Sequence, residues 1–150
     1  MRLSVLGGGA WGTALAAHAA RAGLPVRMWV REPEVASAVN ERRENPTYLP
    51  GVELPADLRA TSVLAEALAD AETVLVVIPS EFCREIYRQA GRLAPAGASF
   101  VSATKGLELG SLQRMTEVAA AEAKGRPLAA LSGPSFALEV AKALPTAVVV

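Results

Sequence analysis

Short apolar runs alternate with amphipathic or alanine-rich stretches from one end of the chain to the other. Arg2–Leu6 is a strand-like run stopped by Gly7, Gly8 and Gly9, and Trp11–Ala22 follows as an alanine-rich helix with Gly23 placed to end it. Pro25–Val30 predicts a second strand, and Pro33–Glu44 a second helix with proline in its first turn. Two prolines and a glycine mark Asn45–Gly51 as a loop. A short strand is expected near Leu58–Thr61, then a helix through Ala69. The most apolar stretch, Thr73–Ile78, is a continuous β-branched run of the kind that suits a central parallel strand buried on both faces. Pro79 ends it, and Ser80 is placed to cap a helix through Arg92. Ala98–Ser102 predicts a strand, Ala103–Gly110 a loop, and the following residues a helix to about Lys124. Leu128–Leu131 is strand-like, Gly133–Pro134 is expected to open a helix through about Ala143, and Thr146–Val150 reads as the start of another strand. This alternation with short links predicts an α/β fold of Rossmann type: a doubly wound, mostly parallel sheet with helices on both faces.

The glycines add chemistry to that outline. Gly7-x-Gly9-x-x-Gly12 ends a predicted strand and opens a predicted helix, the context in which G-x-G-x-x-G signals a dinucleotide site. Gly7 permits the tight turn, Gly9 leaves room for a pyrophosphate, and Gly12 allows close packing of helix on strand. The free N–H groups at the helix start then face the phosphates. The end of the second strand distinguishes NAD from NADP: an acidic residue there bonds the ribose 2′-hydroxyl, whereas arginine accommodates a 2′-phosphate. Arg31 followed by Glu32 leans towards NADP while keeping NAD open. A solvated charge pair is the plain alternative.

Composition narrows the remaining choices. The 150 residues suit one domain, and 51% hydrophobic with 20% charged residues is an ordinary soluble globular balance. The formal net charge is zero, and Arg42–Arg43 is flanked by Glu41 and Glu44, so no basic surface for nucleic acid is expected. One cysteine, Cys83, and one histidine, His18, exclude an intrachain disulfide and a Cys- or His-rich metal site. No apolar run reaches the ~20 residues of a membrane span, and a cytoplasmic setting is the default. Trp29, Phe82 and Tyr87 are read as core rather than cofactor-contacting residues, Cys83 as a packing residue on its helix and His18 as structural or solvent-facing, whereas Trp11 lies in the phosphate loop itself.

Five segments, in order and spacing, carry a more specific likeness: GGGAWGTALA (7–16), NPTYLPG (45–51), VIPS (77–80), ATKGLE (103–108) and LSGPSFALEVAKALPTA (131–147). Together they resemble the N-terminal part of bacterial-type NAD(P)-dependent glycerol-3-phosphate dehydrogenases, and the resemblance covers essentially the whole chain. It implies reduction of dihydroxyacetone phosphate to sn-glycerol 3-phosphate, the glycerophospholipid backbone, by a cytoplasmic enzyme that is often a homodimer. By resemblance Ala10, Trp11, Arg31 and Ala137 match cofactor-contacting positions. Lys105 matches a lysine touching cofactor and substrate, and Gly133 and Ser135 match substrate-contacting positions. The family's principal catalytic lysine lies in a C-terminal helical domain, which is expected beyond residue 150. Independently of the resemblance, Lys105 sits in a loop after a predicted strand, where a cation can neutralise a phosphate or polarise a carbonyl. Gly133–Pro134–Ser135 would offer free N–H groups at a helix start. Two rivals stay open: a Rossmann dehydrogenase for another substrate, and a stand-alone NAD(P)-binding or redox-sensing module.

Overall fold

The computed structural model describes all residues 1–150. Six parallel strands, β1 (Leu3–Leu6), β2 (Val26–Trp29), β3 (Arg59–Thr61), β4 (Thr73–Val76), β5 (Ser99–Ser102) and β6 (Leu128–Ala130), alternate with six helices. The helices are α1 (Ala10–Arg21), α2 (Pro33–Arg42), α3 (Leu64–Leu68), α4 (Ser80–Leu93), α5 (Met115–Glu122) and α6 (Ala137–Ala141). The strand order is β3-β2-β1-β4-β5-β6, so the chain reverses direction across the sheet between β1 and β4. In open α/β sheets, the crevice beyond the carboxyl ends of the strands at such a point is the place for a ligand. Every strand pairing is parallel, with Leu6 opposite Trp29 on one side and Val76 on the other.

Side-chain alternation along β4 divides the core. Leu75 and Val77 join Val5, Ala14, Ala17 and Val140 on one face, while Val74 and Val76 join Leu6, Cys83, Tyr87 and Val118 on the other. That is why Thr73–Ile78 carries no polar/apolar alternation: both faces are covered, and each buried valine or leucine contributes roughly 1.5–3 kcal/mol. Alanines at positions 14, 16, 17 and 20 of α1 are all buried, so the helix axis lies close to the sheet. α1 ends in a Schellman arrangement, with Gly23 N–H donating to Ala20 O at 2.9 Å and Leu24 N–H to Ala19 O at 3.1 Å. Gly23 takes φ +83° there, as its position predicts. His18 is exposed, in agreement with a solvent-facing reading, and Cys83 and Tyr87 are fully buried, in agreement with their packing readings.

Three expectations are corrected. Helix α6 starts at Ala137 with Phe136 as its N-cap, so Pro134 is not its first residue and Gly133–Ser135 is loop. The loop is set instead by Ser135 N–H donating to Gly133 O and by the reciprocal bonds between Ser132 and Val149. Thr146–Val150 adds no strand to the sheet; it makes one isolated antiparallel bridge, Ser132 to Val149. Ser80 is the first residue of α4 rather than its cap, because Pro79 holds the extended N-cap conformation. No helix is long and apolar enough to cross a membrane.

Candidate functional site

The turn from β1 into α1 is shaped by atoms that leave no room for side chains. A Cβ on Gly12 would lie 2.0 Å from Gly7 O, and one on Gly7 would lie 2.2 Å from Val77 O. Gly8 is equally confined, 2.2 Å from Val30 Cγ1. Gly9 differs, since a Cβ there would meet nothing within 4 Å. Three glycines therefore serve the packing of helix, strand and turn, and Gly9 opens onto free space where a ligand can approach the backbone. The first bond of the α1 ladder runs from Thr13 N–H to Gly9 O, and no side chain caps the helix or puts a carboxylate in its first turn. The N–H groups of Ala10, Trp11 and Gly12 are left for an anion.

One buried side chain holds this turn from outside. Asn45 is completely buried, and its Nδ2 donates to Gly8 O and to Thr13 Oγ1, both at 2.8 Å. Its Oδ1 accepts from Tyr48 N–H at 3.1 Å, which folds the 45–51 loop. Sequence reading identified that loop without seeing the role of Asn45. The available signal was an asparagine beginning a proline-rich loop, but only the fold brings it to Gly8.

From the turn a cleft of about 360 Å³ extends over the ends of β1, β2 and β4. Gly7, Gly8 and Gly9 form its floor, with Val77, Ile78 and Pro79 on one side and Trp29, Arg31, Glu32 and Tyr48 on the other. Phe82, Glu85 and Ile86 of α4 close it. Trp29 and Phe82 are thus not simple core residues as expected. Trp29 lies half-buried with its indole N–H donating to Ser62 O at 3.1 Å, and Phe82 is 49% exposed over the cleft. At the polar end, Arg31 Nη2 lies 3.0 Å from Glu32 Oε1, and Tyr48 Oη donates to the same oxygen at 3.1 Å. Desolvation would raise the Glu32 carboxyl, but these hydrogen bonds outweigh it and hold the group below its ordinary range. The hydrogen bond to that carboxylate raises the Tyr48 phenol in turn. The Arg31 side chain remains 74% exposed, so it can leave Glu32 for another anion.

A second cleft, of about 340 Å³, shares Val77, Ile78 and Pro79 with the first and continues over β5. Trp11, Ala103, Thr104, Lys105, Ser135, Phe136 and Ala137 complete it. Residues far apart in sequence meet here. Lys105 Nζ donates to Ser135 O at 3.4 Å and lies 5.8 Å from the centroid of the Trp11 ring, within cation–π range. Thr104 Oγ1 anchors the loop by donating to Ile78 O at 3.0 Å. Ser135 presents its carbonyl rather than its hydroxyl, because its Oγ donates weakly to Gly133 O at 3.4 Å. Gly133 does not line the cleft; at φ +148°, its Cα faces Ala147 O, which a Cβ would approach to 2.6 Å.

Comparison with known proteins matches this geometry to a family. The profile described as NAD-dependent glycerol-3-phosphate dehydrogenase N-terminus matches residues 2–150. The chain belongs to that family. It is 55% identical over 146 residues to the glycerol-3-phosphate dehydrogenase (NAD(P)+) of Rhodospirillum rubrum, across 97% of this chain and 42% of that protein. The crystal structure of glycerol-3-phosphate dehydrogenase from Coxiella burnetii superposes with a TM-score of 0.91 at 39% identity, over 98% of this chain and 45% of that one. The enzyme from Saccharomyces cerevisiae gives 0.85 at 32% identity, over 95% and 44%. The chain therefore spans less than half the length of these glycerol-3-phosphate dehydrogenases and corresponds to their N-terminal part.

Proposed function

We propose that this chain is the cofactor half of an NAD(P)-dependent enzyme reducing dihydroxyacetone phosphate to sn-glycerol 3-phosphate. The observation that carries the reading is the continuity of the two clefts. The glycine turn and the Lys105 cleft share Val77–Pro79, so a dinucleotide lying along the first cleft would bring its reactive end towards Lys105. The fit to a dinucleotide rests on the open space at Gly9 and the unpaired N–H groups after it.

In this reading Gly7–Gly12 receives the pyrophosphate, and Ala10 and Trp11 contribute backbone N–H groups. Arg31 takes a 2′-phosphate, which favours NADPH over NADH, and Phe82 supplies an apolar wall. The nicotinamide supplies hydride for the C2 ketone. Lys105 provides a cation for the substrate's phosphate or developing alkoxide, and Trp11 and Ala137 exclude water beside it. Ser135 supports Lys105 through its carbonyl, and Gly133 shapes the loop that brings Ser135 there. The part of the relatives that this chain does not match would add the helical domain and principal catalytic lysine. A cytoplasmic setting and a homodimer follow from the family resemblance.

The test pairs a binding titration with a turnover assay. This chain should bind NADPH with quenching or enhancement of nicotinamide fluorescence, yet oxidise it slowly or not at all with dihydroxyacetone phosphate. A chain extended to the relatives' full length should turn over, and Lys105→Ala in it should depress turnover sharply. Cofactor binding without turnover by the extended chain would support a stand-alone binding module instead.

A further inference from the structure

Lys105 lies between two anchors. Before it, Thr104 is bonded to Ile78 O. After it, Gly106 turns at φ +102° into a tight hairpin in which Glu108 N–H donates to Gln113 O and Leu112 N–H to Glu108 O. The hairpin is tied to α4 by one side chain. Arg84 forks onto Glu108, with Nε to Oε1 at 2.7 Å and Nη2 to Oε2 at 2.8 Å. The remaining nitrogen, Nη1, donates to Glu122 of α5 at 2.6 Å, and Nη2 also reaches Gln113 Oε1 at 2.9 Å. Both carboxylates are mostly covered, at 14% and 16% side-chain exposure.

This is more polar construction than a surface hairpin needs. A parallel two-bond fork fixes direction as well as distance, which a single lysine–carboxylate contact does not. Arg84 also stands on the helix whose Phe82, Glu85 and Ile86 wall the first cleft. The fork therefore ties the position of the Lys105 loop to the position of that wall. We propose that Arg84 and Glu108 form a positioning pair that sets Lys105 Nζ over Trp11 and against Ser135 O. The role assigned to the lysine rests on the function proposed above; the positioning itself does not. Glu122 shares Arg84 but belongs to α5, and its loss leaves the fork to Glu108 in place.

The sequence makes a direct test possible, because Lys105, Lys124 and Lys142 are the chain's three lysines. Reductive methylation with carbon-13 formaldehyde keeps their charge and gives one resolvable signal each, with the N-terminus as a fourth. Lys105→Arg assigns its signal. In the wild-type chain the Trp11 ring current should displace the Lys105 methyl signal from the positions of exposed Lys124 and Lys142. Glu108→Gln, confirmed as folded by circular dichroism, should collapse that displacement, whereas Glu122→Gln should leave it. Arg84→Lys keeps the charge without the fork and adds a fifth methyl signal of its own, absent from the wild-type spectrum; it should move the Lys105 signal part of the way and serves if Glu108→Gln does not fold. An undisplaced wild-type signal, an unmoved signal in Glu108→Gln or Arg84→Lys, or equal collapse in Glu122→Gln overturns the proposal. Addition of inorganic phosphate to the same wild-type sample separately probes the substrate role: a silent Lys105 there counts against the proposed function and not against the clamp.

Discussion

Asn45→Ala should loosen the phosphate turn from a distance, without touching any ligand. The amide is completely buried and makes three hydrogen bonds: to Gly8 O, to Thr13 Oγ1 and from Tyr48 N–H. Truncation leaves Gly8 O with only the 3.3 Å bond from Thr13 Oγ1. Tyr48 is on an exposed loop, where water replaces its lost partner. Two buried bonds at about 0.5–1.5 kcal/mol each, plus the cost of a poorly satisfied buried carbonyl, sum to about 2–4 kcal/mol. For a domain of this size that lowers Tm by about 5–15 °C. The turn must then be reordered on binding, so NADPH affinity should fall about tenfold, equivalent to ~1.4 kcal/mol. Thermal denaturation followed by circular dichroism gives the first quantity and nicotinamide fluorescence titration the second. Asn45→Asp, which puts carboxylate oxygens against Gly8 O, should be at least as damaging. A melting point within about 2 °C of wild type and an unchanged Kd would refute the clamp on the turn.

Gly9→Val should fold normally, because its Cβ would meet no protein atom within 4 Å, and should lose NAD(P)H binding through occupation of the pyrophosphate space; tight binding by the folded variant would sink the cradle. Arg31→Asp should weaken NADPH relative to NADH by about tenfold to a hundredfold, for a charge-assisted contact of about 1.5–3 kcal/mol, and an unchanged ratio would leave Arg31 merely paired with Glu32. Hydrogen bonds from Arg84, then Ser111, hold Glu108 at about 2, against an ordinary 4.5. Its stabilisation is therefore full above about 4.5 and is lost as pH falls towards about 2. Glu108→Gln should be less stable than wild type at neutral pH, with the gap closing across that acid window in urea titrations; a constant gap would deny the ion pair its role.

Much of this protein is local and therefore visible in the chain. The glycine turn, the apolar run of β4 and the β/α alternation are patterns within short windows, and each is imposed by backbone sterics or by burial on one or two faces. They sufficed for the Rossmann architecture and for placing Gly7, Gly9 and Lys105 beyond the carboxyl ends of their strands. What the windows misread depended on partners distant in sequence. Phe82 has the composition of a core residue, yet the turn of α4 leaves it over the cleft. Pro134 looks like a helix start, but the turn in which Ser135 N–H donates to Gly133 O and the bridge between Ser132 and Val149 keep residues 133–135 out of the helix. The polar assignments were least legible. Asn45 reaches Gly8 across 37 positions, Arg84 reaches Glu108 across 24, and Lys105 reaches Ser135 across 30. A hydrogen bond fixes direction as well as distance and leaves no periodic trace in a sequence, so only the folded chain decides which polar groups meet.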